Sequence, residues 1–267
     1  MSNDSIDQTV KVSVLIPAYE SEKTIHKAVE SALLNLGVEV VIAPDDGTHH
    51  YDKLETQYAG RVIVLSPSYR TGPGSARNRA FAASSGEFIT MLDDDDYFED
   101  NAIHEALELA QKNPAKVAFF RTVYKYERSG ETCRELPFSQ SISYQAFIDF
   151  HGSIHALYER ALWRPYSDHR ISQDVLFDAN ILLASGGVAP LTQAAHVKTL
   201  NPESITWNSD QSAFNTEYQE IINSDAHHSV RQLFHEKLQI GVLYAKKRSN
   251  GFQRSFHEFM MDRALMQ

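Results

Sequence analysis

Short apolar runs alternate with helix-patterned stretches over the first 120 residues, and this alternation leaves few architectures open. Lys11–Ile16 (KVSVLI) is continuous and β-branched, the pattern of a strand buried on both faces. From Ser21 to Leu36, the residues Ile25, Ala28, Val29, Ala32, Leu33 and Leu36 recur at helical spacing. Ser21 is the candidate cap of that helix and Gly37 its stop. Val38–Ala43 reads as a second strand, Tyr51–Tyr58 as a weak helix and Arg61–Leu65 as a third strand. Ser75–Ser84 is helical, Glu87–Leu92 is a fourth strand, and a helix capped by Asp100 runs to Lys112, before a fifth strand at Val117–Phe120. Short buried strands separated by helices form a mostly parallel α/β sheet covered on both faces. Such sheets bind ligands at the carboxyl ends of their strands. The rule selects Pro17–Glu20, Pro44–Thr48, Ser66–Gly74 and Asp93–Asp96.

After residue 120 the pattern changes. Thr122–Arg128 and Thr132–Leu136 read as a hairpin around Ser129-Gly130. Gln173–Ala184 is a helix, and Val197–Leu200 reads as a strand. Beyond Asp210 the chain is mostly helical, through Gln219–Ile222, Val230–Ala245 and Phe252–Leu265. No linker marks off an independent domain.

Several function classes drop out. The best candidate for a membrane span, Ile181–Val197, is broken by Gly186, Gly187 and Pro190. The N-terminus, MSNDSIDQ, lacks the basic and apolar regions of a secretory signal. One cysteine, Cys133, rules out an intramolecular disulfide framework and a cysteine zinc site, and favours a reducing cytoplasm. The net charge of −10 argues against generic nucleic-acid binding.

Asp93-Asp94-Asp95-Asp96 is the most informative motif. Adjacent carboxylates repel by about 1 kcal/mol per close pair in water and by more near a protein surface. Four of them at the end of a buried strand call for relief by solvent or by a cation. A solvated acidic loop is one reading. A hard divalent cation bridging carboxylates to phosphates is the other. Upstream, SPSYRTGPGSARNR (Ser66–Arg79) joins a glycine-rich turn to a helix start, with Arg77 or Arg79 placed to hold a diphosphate. An ordinary Gly-Pro turn with exposed arginines would look the same.

These pieces, in this order, resemble the family 2 glycosyltransferases of the GT-A fold. The matching segments are VSVLIPAYESEKTIHKAVESAL, VEVVIAPDDGT, GPGSARNRAFAASSGEFITMLDDDD and, more weakly, ISQDVLFDANILLASGG. The resemblance spans residues 11–205. It implies a GT-A domain over residues 1–205, with a nucleotide-sugar half at about 11–120 and an acceptor half at about 121–205, followed by a helical extension over 206–267.

The resemblance also implies roles. Pro17, Tyr19 and Glu20 match the segment that contacts base and ribose. Asp46 matches the acid that reads uracil, with Asp45 beside it. Arg77 matches the arginine of the family's A-R-N segment. Asp93 and Asp95 match the D-x-D motif: Asp95 is the expected direct ligand of a divalent cation (Mn2+ or Mg2+), Asp93 is expected near ribose and metal, and Asp94 joins the donor-binding set. Asp174, in Gln173-Asp174 at a helix start, matches the catalytic base, with Asp178 one turn later as the fallback; the bland reading of Asp174 is a helix N-terminal acid favoured by the dipole. The donor would be a nucleotide-sugar, in the first place a UDP-sugar, and the acceptor a hydroxyl on a glycan, a glycolipid or another molecule.

Departures are visible. Asp45-Asp46-Gly47-Thr48-His49-His50 lacks the family's last acid, Gln173 replaces its Glu, and Asn201 stands where a histidine is common. His196 is a candidate substitute ligand. Ser139–Trp163, with His151, His155, Tyr158 and Trp163, is expected to shape the acceptor site.

Residues 226–267 carry a net charge of +4, against −14 for residues 1–225. With Leu233, Ile240, Tyr244, Phe252, Phe256 and Phe259 between the charges, this basic helical segment either meets an anionic surface, such as a membrane's inner face, or packs on the domain or in a homodimer. A non-catalytic nucleotide-sugar binder is the competing class. A sugar-phosphate nucleotidyltransferase would need a glycine-rich loop where Pro17-Ala18-Tyr19-Glu20 stands.

Overall fold

Period-two alternation along the first strand assigns the layers. In a computed structural model, which describes residues 10–58, 60–167, 169, 171–201, 210–251, 253, 254 and 256–261, β1 (Val12–Ala18) sends Val12, Val14 and Ile16 to one apolar core and Leu15 to another. The first core holds α1 (Ile25–Leu33), α2 (Lys53–Gln57) and α4 (Ala102–Lys112) against the sheet. The second holds α3 (Pro73–Ala83), α6 (Gln173–Ala184) and the C-terminal helices α7 (Gln211–Asn223), α8 (Arg231–Ser249) and α9 (Phe256–Met261). Both faces of the sheet are thus covered, which is why its strands read as continuous apolar runs.

The remaining strands are β2 (Val38–Pro44), β3 (Val62–Val64), β4 (Phe88–Met91), β5 (Tyr97–Phe98), β6 (Val117–Tyr126), β7 (Thr132–Glu135), β8 (Ser141–Ser143), β9 (Ala156–Glu159) and β10 (Val188–Leu200). The sheet order is β3-β2-β1-β4-β9-β6-β10-β5, with β7 pairing β6 and β8 pairing β10. β1 pairs in parallel with β2 and β4, β2 with β3, and β6 with β10. β9 is antiparallel to both its neighbours, β4 and β6.

Several boundaries differ from the sequence reading. The first helix starts at Ile25 after Thr24, and the Ser21 hydroxyl, the expected capping group, pairs with the Tyr51 hydroxyl at 3.2 Å instead. The fourth helix follows Asn101, at φ 65°, not an Asp100 cap. The fifth strand and the first half of the hairpin are one strand, β6, whose antiparallel partner is β7 around Gly130. The Val197–Leu200 segment is the end of the longer β10. α5 (Tyr144–Phe150) and β9 escaped a sequence-only reading because each is short and takes its partners from distant chain. The C-terminal helices come near their expected places; Phe252, residues 262–267 and the 205/206 division lie outside the described residues. Phe214, Tyr218, Phe234, Ile240 and Tyr244 share one apolar core with Leu15 and Val41.

Candidate active site

The carboxyl ends of β1, β2 and β4 open onto a cavity of about 750 Å³. Pro17, Tyr19, Glu20, Asp45, Arg77, Asp93, Asp94, Asp95 and Asp174 all line it. Asp46 lies outside the lining, in the loop beneath. Its Oδ1 accepts from the Thr48 amide at 2.9 Å and the Thr48 hydroxyl at 2.8 Å. Its Oδ2 accepts from the Glu20 amide at 3.2 Å and the Tyr51 hydroxyl at 3.0 Å. Asp45 Oδ1 accepts from Ser68, and from the amide and hydroxyl of Thr71, while among the described residues Oδ2 accepts only from the Gly72 amide, at 2.8 Å. Burial opposes the charge on both acids, yet these donors hold both carboxyls below the usual carboxylate range.

The acidic run is relieved mainly from inside the protein. Lys198, near the end of β10, is buried, and its ammonium donates to Asp93 Oδ2 at 3.0 Å and Asp96 Oδ2 at 2.8 Å. It reaches them because β10 pairs with β5, His196 opposite Phe98 and Val197 opposite Tyr97, which draws the far end of the acidic loop alongside β10. The Thr199 amide adds a hydrogen bond to Asp96 Oδ1 at 2.7 Å. Arg77 Nη2 donates to Asp93 Oδ1 at 2.5 Å. Burial disfavours the Arg77 charge, and Asp93, Tyr166 and Asp174 together more than restore it. Arg77 Nε and Nη1 are buried with no hydrogen-bond partner among the described residues. Arg79 donates instead to the carbonyls of Ser66 and Pro44, at 2.9 and 2.6 Å, and does not line the cavity.

Asp94 and Asp95 keep less compensation. Asp94 Oδ2 accepts from the Tyr19 amide at 2.9 Å. Burial, with Asp93 and Asp96 adding repulsion, pushes its carboxyl up to about 7. Burial and the three neighbouring aspartates push Asp95 well above its usual range, and among the described residues its side chain has no hydrogen-bond donor. Oxygen donors under like-charge repulsion suit a hard divalent cation, so the residues fit one at Asp95. No group of three or more His, Cys, Asp or Glu side chains converges on a metal position among the described residues. Asp93 is committed to Arg77 and Lys198. His196, the candidate substitute ligand, is fully buried 3.4 Å from Asp96 Oδ2 and does not line the cavity.

A buried chain of polar groups continues to the opposite wall. Lys198 Nζ is 3.2 Å from His155 Nε2, and His155 Nδ1 is 2.8 Å from Asp178 Oδ2. A lysine ammonium only donates, so His155 Nε2 accepts and Nδ1 carries the proton toward Asp178. Burial and the Lys198 charge hold the His155 imidazole neutral. His155 is therefore a core residue, and Asp178 its buried partner, one turn beyond Asp174. Asp174 itself stands half-buried in the first turn of α6, facing the cavity, with no side-chain hydrogen bond among the described residues. α6 comes close to α3 because residue 74 is glycine: a Cβ there would meet Gln173 Oε1 and the Ser167 carbonyl, both at 2.8 Å.

The Ser139–Trp163 segment contributes less than expected. His151, Gly152 and Ser153 line the cavity, whereas Tyr158 is in the core and Trp163 stacks on Phe81 at 4.1 Å. Sequence reading missed Lys198, Phe214, Tyr218 and Lys237, all lining residues, and held Arg70 only as part of the Ser66–Gly74 segment. Arg70, at φ 51°, donates from Nε to the Tyr19 hydroxyl at 3.2 Å. Its place beside the glycine-rich turn was the one signal available for it.

The family model described as glycosyl transferase family 2 matches residues 13–168. The succinoglycan biosynthesis protein ExoO of Rhizobium meliloti is 33% identical over 121 residues, 44% of this chain and 35% of that protein. The Escherichia coli UDP-Glc:alpha-D-GlcNAc-diphosphoundecaprenol beta-1,3-glucosyltransferase WfaP is 29% identical over 142 residues, 52% of this chain and 56% of that protein. The matched part thus spans between about a third and about a half of these relatives' lengths. The crystal structure of S. aureus TarS 1-349 in complex with UDP-GlcNAc superposes with a TM-score of 0.63 at 21% identity, covering 91% of this chain and 75% of that one, which identifies the fold as GT-A.

Proposed function

The chain belongs to glycosyl transferase family 2, and from that premise we propose that it moves a sugar from a nucleotide diphosphate sugar, a UDP-sugar, to an acceptor hydroxyl with inversion at the anomeric carbon. The observation that carries the reading is one cavity holding three complementary parts: Asp174, the Arg77–Asp93 pair and Asp95.

Arg77 receives the donor's diphosphate. Its Nε and Nη1, buried and unpartnered, supply the donors that a developing oxyanion needs in a site shielded from water. Tyr19 faces the base, and Asp45 Oδ2, with one donor of its own, is placed to accept the uracil imide N–H. Asp46 fixes the loop beneath. Asp95 would hold Mn2+ or Mg2+, which when bound supplies Lewis-acid charge to the leaving diphosphate. Asp174 takes the acceptor hydroxyl's proton as the oxygen–carbon bond forms; the bond to the diphosphate breaks on the opposite face, so one displacement inverts the centre.

The relatives' printed names support a UDP-sugar donor and an acceptor in surface polysaccharide or glycolipid synthesis. The proposed workplace is cytoplasmic, at the inner face of the membrane, with exposed Lys246 and Arg248 at the end of α8 toward anionic lipid. No described helix is long and apolar enough to cross a membrane. A thermal-shift screen of UDP-, GDP- and TDP-sugars with Mn2+ tests the donor: a ligand at 100 times its Kd stabilises by about 2.7 kcal/mol. A shift with a GDP-sugar alone would remove the UDP reading.

A further inference from the structure

Lys237 is 2% exposed and still lines the cavity that holds Asp174. It comes from α8, in the C-terminal helices, and no donor role uses it. An ammonium has three hydrogen-bond donors. Among the described residues Lys237 Nζ makes one hydrogen bond, at 2.7 Å to the carbonyl oxygen of His151, the left-handed residue (φ 61°) that ends α5. Buried ammonium groups are ordinarily paired with an anion. Here Asp174 favours the charge from the same cavity, while Arg134, a second buried cation, opposes it. Burial, the largest influence, pushes the ammonium down to about 8. A buried ammonium on a cavity wall whose one acceptor among the described residues is a neutral carbonyl is poor core packing and a good receptor for an anion. The neighbouring wall is apolar: Ile171, Val175, Phe214 and Tyr218 line the same cavity, the last two on α7, which packs along α8.

We propose that Lys237 receives a phosphoester group carried by the acceptor, with the acceptor's apolar part against Phe214 and Tyr218 and its hydroxyl toward Asp174. The word acceptor rests on the glycosyltransferase reading; the anion site does not. The donor's diphosphate is assigned to Arg77 and Asp95, neither of which is among the charges that act on Lys237, so the two phosphates are assigned to different groups.

The test uses the full chain with saturating UDP and Mg2+, titrated calorimetrically with octyl phosphate, octyl glucoside and inorganic phosphate. Octyl phosphate is expected to bind at least tenfold more tightly than the other two. Lys237→Met should weaken it by tenfold or more, Lys237→Arg should retain most of it, and both should keep wild-type affinity for UDP. Octyl glucoside matching octyl phosphate overturns the proposal, as does undiminished binding by the Met variant. Inorganic phosphate binding as well as octyl phosphate overturns the assignment to an acceptor ester in favour of free phosphate. If the Met variant fails to fold, the ranking of the three probes on the wild type decides. Absence of UDP binding would sink the glycosyltransferase reading alone, since octyl phosphate can be titrated without UDP.

Discussion

Lys198 Nζ lies 2.8 Å from Asp96 Oδ2, although 102 residues separate them in the chain. The same ammonium bonds Asp93, so one buried cation offsets much of the repulsion within the acidic loop. Removing one partner of a buried ion pair typically costs about 3–5 kcal/mol, because the other is left uncompensated. Lys198→Met should lose about that much in urea unfolding. A loss under about 1 kcal/mol, the range of exposed pairs, would show that the aspartates rely on solvent instead.

Asp174→Asn removes the proposed proton acceptor and keeps its volume. Transfer should fall by about 10²–10⁴-fold, the usual contribution of a general base. UDP affinity and melting temperature should stay at wild-type values. Full activity in a folded Asn variant would move the base elsewhere, with Asp178 a poor substitute because it is fully buried against His155.

Asp95→Asn separates the cation from the rest of the donor site. In the wild type, Mn2+ should tighten UDP binding and EDTA should abolish transfer. In the variant, the gain in UDP affinity from Mn2+ should shrink by tenfold or more, while metal-free UDP binding persists through Arg77. Transfer indifferent to EDTA would remove the cation from the mechanism.

Asp94 sets a pH dependence with a definite sign. Burial and its aspartate neighbours push its carboxyl up to about 7 in the folded protein, whereas an Asp in an unfolded chain titrates near about 3.9. Between these values the folded state binds the extra proton, so this group's contribution to stability falls as pH rises from about 4 to about 7. Asp94→Asn should therefore gain stability relative to wild type across that window, when metal and UDP are absent. A difference between the two melting curves that stays flat over the window would count against it.

How much of this was legible before folding depends on the range of the interaction. Local patterns gave β1, α3, α6 and the hairpin of β6 and β7 within a few residues, since hydrophobic period, turn glycines and helix starts act within about one turn of chain. Motif order gave the family and, with it, most of the cavity lining. The short elements β8, β9 and α5 were missed because their stability comes from partners far along the chain. His155 could not be told from a surface residue by its neighbours in sequence; its burial follows from Lys198 and Asp178 closing around it.

The sequence by itself determined an α/β sheet whose strand ends gather acids and an arginine, because strand–helix alternation and residue spacing are properties of contiguous chain. Only the tertiary structure decided how those acids are charged and which side chains share their cavity. Lys198 neutralises Asp93 and Asp96 from β10, and Lys237 enters from α8, a helix that by charge alone read as a basic tail. Electrostatic pairing depends on distance through space and on the loss of water around the pair, and neither is set until the sheet has closed on its helices.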